Sequence, residues 1–226
     1  MSNPELSNEF DLQYNNIMSN QAPGLDPYEK SVYFTLAQEQ LGLTYYNGKN
    51  TYGESFEKTE EIRRYLSKMV KTATLTPDEY SDCITENSTV FTLPENLWFI
   101  TYEYVTLEQN QGTCASGKRV QVVPVTQDDL YRTLENPFKN IGLRRALRLD
   151  IENNQVEIVS KYKIASYTIR YLEQFPPIIL EDLDPGTTID GLSCAVECTL
   201  PKELHRTLIE LAVKLASAAY KAGQQQ

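Results

Sequence analysis

Residues 204–220 constrain this chain more than any other stretch. Leu204, Leu208, Leu211, Leu215 and Ala219 recur at three- and four-residue intervals, and Ile209, Val213, Ala216 and Tyr220 widen the same stripe. Such spacing puts one apolar face on a helix. A face this broad has to be buried against several neighbours at once. Pro201 stands where that helix would start. The other segments with helical periodicity lie at the opposite end of the chain, so the two ends are predicted to fold together.

The N-terminal third carries that periodicity. Leu6, Phe10, Tyr14, Ile17 and Met18 form a stripe at i, i+4, i+8, i+11 and i+12. Asn20, Pro23 and Gly24 break it. Asp26 then stands where an N-cap belongs, and Pro27 fits the first helical position, where its missing N–H costs nothing. Tyr33, Ala37, Leu41 and Tyr45 follow on one face, and Asn47-Gly48 can end the helix in a left-handed conformation. A third helix is predicted to start at a Ser55 cap and to bury Ile62, Tyr65, Leu66, Met69 and Val70. Glu57, Glu60 and Glu61 near its start and Lys68 and Lys71 near its end match the helix dipole.

The period then changes. TVFTL (89–93), LWFITYEYVTL (97–107) and RVQVVPV (119–125) are rich in β-branched and aromatic residues and partly alternate. Pro124 favours a strand end or edge. TQDDLYRTLENP suits a short helix capped by Thr126 and stopped before Pro137. ALRLDI, QVEIVSKYKI and YTIRYLEQF read as further strands, with a hairpin turn at Asn153-Asn154 and a weaker break at Ala165-Ser166. CAVEC (194–198) reads as another strand. The predicted class is α+β: N- and C-terminal helices in one bundle, with an antiparallel, sandwich- or barrel-like β region inserted between them. The expected division is 1–73 plus 200–221 for the bundle, 74–199 for the insert and 222–226 for a disordered tail.

Charge narrows the function classes. Acidic residues number 31 against 21 basic ones, a formal net charge of −10. Nucleic-acid affinity comes mostly from Lys and Arg displacing counterions, so a chain like this is a poor phosphate binder overall. The clearest local basic cluster is Arg144, Arg145 and Arg148, whose spacing suits two faces of a strand as well as a DNA-binding stripe. No apolar run approaches a membrane span of about 18 residues. MSNPELSNEF has neither the basic start nor the apolar stretch of a secretory signal, so synthesis and folding in a cytoplasm are expected.

Residues that carry chemistry are few. Cys83, Cys114, Cys194 and Cys198 are even in number, but none is in C-x-x-C spacing, and reduced thiols are the expectation in a cytoplasm. A zinc site would need Cys83 and Cys114 to converge on Cys194 and Cys198. Asn87-Ser88-Thr89 matches a glycosylation sequon that has no meaning without secretion. His205 is the lone histidine, and with no nucleophile motif beside it the expectation is a surface or interface residue. Glu60-Glu61 falls on a helix surface, and no carboxylate spacing singles out a glycosidase-type pair. LEDLDPGTTIDG holds Glu181, Asp182, Asp184 and Asp190 but departs from a calcium loop. Counted from Asp182, its glycine falls at position five, and Ser193 occupies position twelve, where such a loop needs a glutamate. An exposed turn on Asp184-Pro185-Gly186 is the better reading. Nucleotide-binding glycine loops are missing. No catalytic, cofactor-binding or metal-binding residues are therefore assigned, and no interface residues are singled out. The chain has 15 tyrosines, and Tyr45, Tyr46, Tyr102, Tyr104, Tyr162, Tyr167 and Tyr171 suit protein contacts and half-buried core positions equally.

Taken as a set, NEFDLQYNNIMSNQAPGLDPYEKSVYFTLAQEQL with its YYNG, GESFEKTEEIRRYLSKMV, VTQDDLYRTLENPFKNIGLRRALRLD, YTIRYLEQFPPIIL and CTLPKELHRTLIELAVKLASAAY resemble a virion structural protein of crAss-like phages of gut Bacteroidales. The likeness runs from about residue 5 to about residue 221. It implies a ring or adaptor at the head-to-tail junction, below the portal and beside other ring and tail proteins. The helices-plus-β layout is also similar to connector proteins of short-tailed phages, which form rings of about twelve subunits and extend the DNA channel. The likeness implies a non-enzymatic, homo-oligomeric virion component of the neck or tail, through which genome DNA passes without sequence-specific contact, and which uses no cofactor and no membrane. Another tail or virion component, a virion-borne carboxylate-dependent hydrolase and a host-directed binder are the alternatives.

Overall fold

The computed structural model describes residues 1–18, 22–48, 58–78, 88–109 and 115–223. Asn20, Ser55, Glu57, Cys83, Asn87 and Cys114 lie outside them. Contacts divide the chain into two units, residues 1–69 with 175–226 and residues 70–174.

The first unit holds α1 (Asn3–Met18), α2 (Pro27–Tyr46), α3 (Glu60–Leu66) and, from the chain's other end, α5 (His205–Gly223). In α1 the buried row is Leu6, Phe10, Tyr14 and Met18. Ile17, expected inside, is exposed. An i, i+4 row turns by about 40° per step, so by Met18 the contact line has rotated away from Ile17. Asp26 caps α2 as expected, its carboxylate accepting from Glu29 N at 2.7 Å, and Glu29 returns a bond to Asp26 N at 3.1 Å. This reciprocal pairing is a capping box. At the other end Asn47 stays right-handed and Gly48 takes the positive φ of 72°.

The buried face of α2 differs from the expected one. Phe34, Ala37 and Leu41 are inside, joined by Lys30, Ser31, Thr35 and Gln38, whereas Tyr33 and Tyr45 are half-buried. Lys30 is tolerated because its ammonium meets Asp11 Oδ2 at 2.6 Å and Ser7 Oγ at 3.2 Å. Ser31, Thr35 and Gln38 have a different partner. Ser31 Oγ accepts from Leu180 N at 3.0 Å, Thr35 Oγ1 accepts from Ile178 N at 3.1 Å, and Gln38 Nε2 donates to the Pro176 carbonyl at 2.8 Å. A row of side chains on one helix thus takes the place of a neighbouring strand for residues 176–180. On its other edge Ile179 exchanges both backbone bonds with Val196, at 3.1 and 2.9 Å. That single bridge is all that remains of the strand expected at 194–198. Pro177, the next residue facing that edge, has no N–H with which to extend the bridge into a ladder.

In α5 the inward face is Leu208, Ile209, Ala212, Val213, Ala216 and Ser217. Leu211 and Leu215 fall at its margin and Ala219 is exposed, so the face centres on residues that had been read as its flank. Helix α5 packs against both α1 and α2. Phe10 and Phe34 meet with ring centroids 5.4 Å apart.

The second unit is a curled sheet forming a half-barrel. Among the described residues its strands are β1 (Val70–Leu75), β2 (Ser88–Thr92), β3 (Leu97–Leu107), β4 (Arg119–Pro124), β5 (Arg145–Asp150), β6 (Gln155–Val159) and β7 (Ile164–Glu173), in the order β1-β7-β3-β4-β5-β6-β2. The α+β class with a barrel-like sheet is as expected. Strand β1 was not: Val70 was assigned to a third helix, but that helix ends in a 3-10 turn at Ser67–Met69 and Val70 pairs with Leu172. VKTATL supplies the β-branched residues for that pairing. Strand β7 runs unbroken through Ala165-Ser166, and the break falls at 160–163 instead. Asn153 and Asn154 make the β5–β6 turn with φ of 56° and 59°, the left-handed pair that a two-residue hairpin requires.

One pairing departs from the antiparallel expectation. β4 and β5 run parallel, joined by a crossover that carries α4 (Leu130–Glu135). Parallel neighbours need such a crossover. Leu130 and partly buried Leu134 of α4 cover Leu147, Leu149 and Val159 on one face of the sheet. The other face packs Phe91, Val105, Val120, Val122, Ile158 and Tyr167 among its core.

Candidate assembly surface

The crossover ends in a turn with an internal scaffold. Asn136 Oδ1 accepts from Phe138 N at 2.9 Å, and the Asn136 carbonyl accepts from Lys139 N and Asn140 N at 3.1 and 2.9 Å. Asn140 Oδ1 accepts from Ile141 N, and Arg145 Nη1 donates to the Lys139 carbonyl at 3.3 Å. Pro137 has no N–H to satisfy. The turn's backbone is thus held from within, and the Phe138 ring, 92% exposed, takes no part in holding it. Tyr131 on α4 is also largely exposed. Residues 136–145 carry Lys139, Arg144 and Arg145 and no acid, in a chain whose overall charge is negative.

The helical unit shows a surface of opposite character. Leu36 and Leu43, seven residues apart on α2, share one face and are both exposed. Glu39 lies between them. Burial, and then the charge of Asp190, hold its carboxyl above the ordinary range. Asp190 occupies the turn between Ile189 and exposed Leu192, at a φ of 48°. Residues 181–190 carry four acids and no base.

That acidic stretch is a turn, as its sequence suggests. Thr187 N donates to the Asp184 carbonyl at 3.0 Å, and Gly186 has φ of 97°. Asp182 accepts from Ala195 N at 2.8 Å, so its carboxylate is tied to its own loop. Among the described residues no group of three His, Cys, Asp or Glu side chains is placed to hold a metal ion. Cys194 is exposed and Cys198 partly buried, with burial raising the Cys198 thiol. Glu60 pairs with Arg64 one turn on, and Glu61 accepts from Tyr65.

His205 is a correction. It is buried rather than superficial, with Nε2 3.1 Å from the Leu200 carbonyl and Nδ1 3.0 Å from the Met1 nitrogen. Burial depresses its ring below the ordinary value. The Arg144, Arg145 and Arg148 cluster does not form one stripe. Arg148 turns into the sheet core, with Nη1 3.0 Å from Glu103 Oε1 and Nε 3.1 Å from Asp150 Oδ1. Tyr167, fully buried, donates to the other Glu103 oxygen at 2.5 Å. Burial opposes the Arg148 charge, but Glu103, Tyr167 and Asp150 outweigh it and raise its pKa. Burial first, then the Glu103 charge, push the Tyr167 hydroxyl far above its usual value. The arrangement is a charge-paired core network. Of the other tyrosines, Tyr171 is buried, Tyr102 is exposed, and Tyr104 stacks under Arg119 with its centroid 5.1 Å away.

Two features escaped sequence reasoning. Glu103 is 45 residues from Arg148 in sequence, and no local pattern joins them. Phe138 had a signal, an aromatic between Pro137 and Lys139 in a turn-forming stretch, but a single ring does not declare which way it points.

Comparison with known proteins gives a consistent answer. A profile described as phage tail ring protein 3/4 matches residues 1–226. "Ring protein 3" of Bacteroides phage crAss001 is 44% identical over 218 residues, covering 96% of this chain and 95% of that protein. "Ring protein 4/5" of the same phage is 35% identical over 232 residues, covering 98% and 94%. Among the described residues no helix is long and apolar enough to cross a membrane.

Proposed function

The chain belongs to the phage tail ring protein 3/4 family, and from that premise we propose that it is a non-enzymatic ring subunit at the head-to-tail junction of a crAss-like phage. Copies of the chain assemble head-to-tail around an axis, about twelve of them by the likeness to connector proteins of short-tailed phages. The ring joins portal-side and tail-side neighbours and continues the channel through which DNA leaves.

The observation that carries this reading is the near-complete coverage by a relative named for a ring, through both units of the chain. The charge supports the channel. With a net charge of −10 per subunit, a ring repels the phosphate backbone on average and lets DNA slide without sticking. The names of the family and of the relatives, which are those of ring proteins, support a non-enzymatic role. Mass photometry of the purified protein, alone and with portal particles, tests the reading. Closed oligomers, or addition to the portal, are expected. A monomer that joins neither copies nor portal-containing particles overturns it.

A further inference from the structure

Resting on that ring reading, we propose where one copy grips the next. Phe138, on the basic turn after α4, seats on the acid-rimmed apolar stripe that Leu36 and Leu43 form on α2 of the neighbouring copy. A head-to-tail ring needs two different surfaces that complement each other, since each copy offers one and receives on the other. The molecule carries such a pair. The donor side is a single aromatic, 92% exposed, on a turn whose backbone is bonded internally through Asn136 and Asn140. A side chain presented this rigidly loses little freedom on binding, which suits an anchor residue. The receiving side is the exposed Leu36 and Leu43 face of α2, with Asp190 close enough to act on Glu39.

Charge pairs the two surfaces. Residues 136–145 carry three bases and no acid, while residues 181–190 carry four acids and no base, with Glu39 added on α2. Burial, and then the charge of Asp190, already raise the Glu39 carboxyl. An incoming cation relieves that repulsion. Either surface set against its own kind is repulsive, so donor-to-donor and receiver-to-receiver contacts are disfavoured and the contact of turn with stripe is favoured.

Two reversed chains test this. One carries Lys139→Glu with Arg144→Glu, and the other carries Glu39→Lys with Glu181→Lys. Each alone is expected to sediment as a monomer at concentrations where the parent assembles. Mixed in equal amounts they are expected to assemble, because every contact in an alternating ring is then complementary. Phe138→Ala is expected to weaken parent assembly about tenfold or more, with an unchanged melting temperature showing that the turn still folds. If the parent assembles but the mixture does not, or if Phe138→Ala assembles like the parent, this contact is overturned and the ring reading stands. If the parent forms no oligomer alone or on portal particles, both fall.

Discussion

Arg148 Nη1 lies 3.0 Å from Glu103 Oε1, with the two side chains only 11% and 8% exposed. The pair sits on the inner face of the sheet, among Val105, Val122 and Tyr167. Removing one partner takes from the other its buried counter-ion. Glu103→Ala and Arg148→Ala are each expected to cost about 3–5 kcal/mol, whereas Glu103→Leu with Arg148→Met is expected to cost far less, because an apolar pair needs no partner. Guanidinium unfolding midpoints of the three variants check this, and equal losses in all of them contradict it.

The α2 cap is a local device with a local magnitude. Asp26→Ala is expected to cost about 0.5–2 kcal/mol, the usual worth of an N-cap side chain. Glu29→Ala removes only the returning bond to Asp26 N and is expected to cost less. A thermal melt of each variant against the parent decides the matter, and no change for Asp26→Ala removes the assignment.

Ser31 and Thr35 stand in for a strand. Ser31→Ala leaves Leu180 N without its acceptor, and Thr35→Val does the same to Ile178 N. An orphaned buried amide costs about 1–3 kcal/mol. Amide hydrogen exchange at residues 178 and 180 is expected to speed up in the matching variant. Protection unchanged at both positions shows that the helix side chains are not the effective acceptors.

His205 ties stability to acid. Burial holds the folded ring below the ordinary 6.5. The unfolded chain therefore takes up a proton at pH values where the folded ring resists it, and this group's contribution, present above pH 6.5, is lost as pH falls below it. The denaturant midpoint is expected to drop on acidification through that range, and to drop less steeply in His205→Asn, which keeps a donor for the Leu200 carbonyl. Parallel pH profiles for parent and variant exclude His205 as the source.

What was legible in the sequence is what neighbours along the chain decide. Asp26-Pro27 and Asn153-Asn154 announce a cap and a left-handed turn because their φ preferences and short polar side chains act within a few residues. Strand β3 was legible end to end, since its aromatic and β-branched run fits little else. What distant partners decide was not legible. The face that α5 buries is chosen by α1 and α2, which shifts the centre of its stripe from Leu211 and Leu215 to Ile209 and Val213. Residues 176–180 look like a strand without a mate because their mates are a serine, a threonine and a glutamine on a helix. Glu103 and Tyr167 declare nothing locally, and the signal at Phe138 leaves its exposure open, since burial, a buried partner or a bare surface is a property of the folded chain.

The pairing of Val70 with Leu172 brings the entry and exit of the β unit side by side, and α5 packs on α1 and α2 only after that unit has been threaded. On the ribosome this becomes a delay. The residues that cover Phe10 and Phe34 are synthesised about 10–30 s after α2 leaves the peptidyl-transferase centre, at common elongation rates. For that interval the sheet can close on itself while two helices wait with an uncovered seam, so the nineteen-residue α5 acts as the latch that ends the chain's exposure to its neighbours.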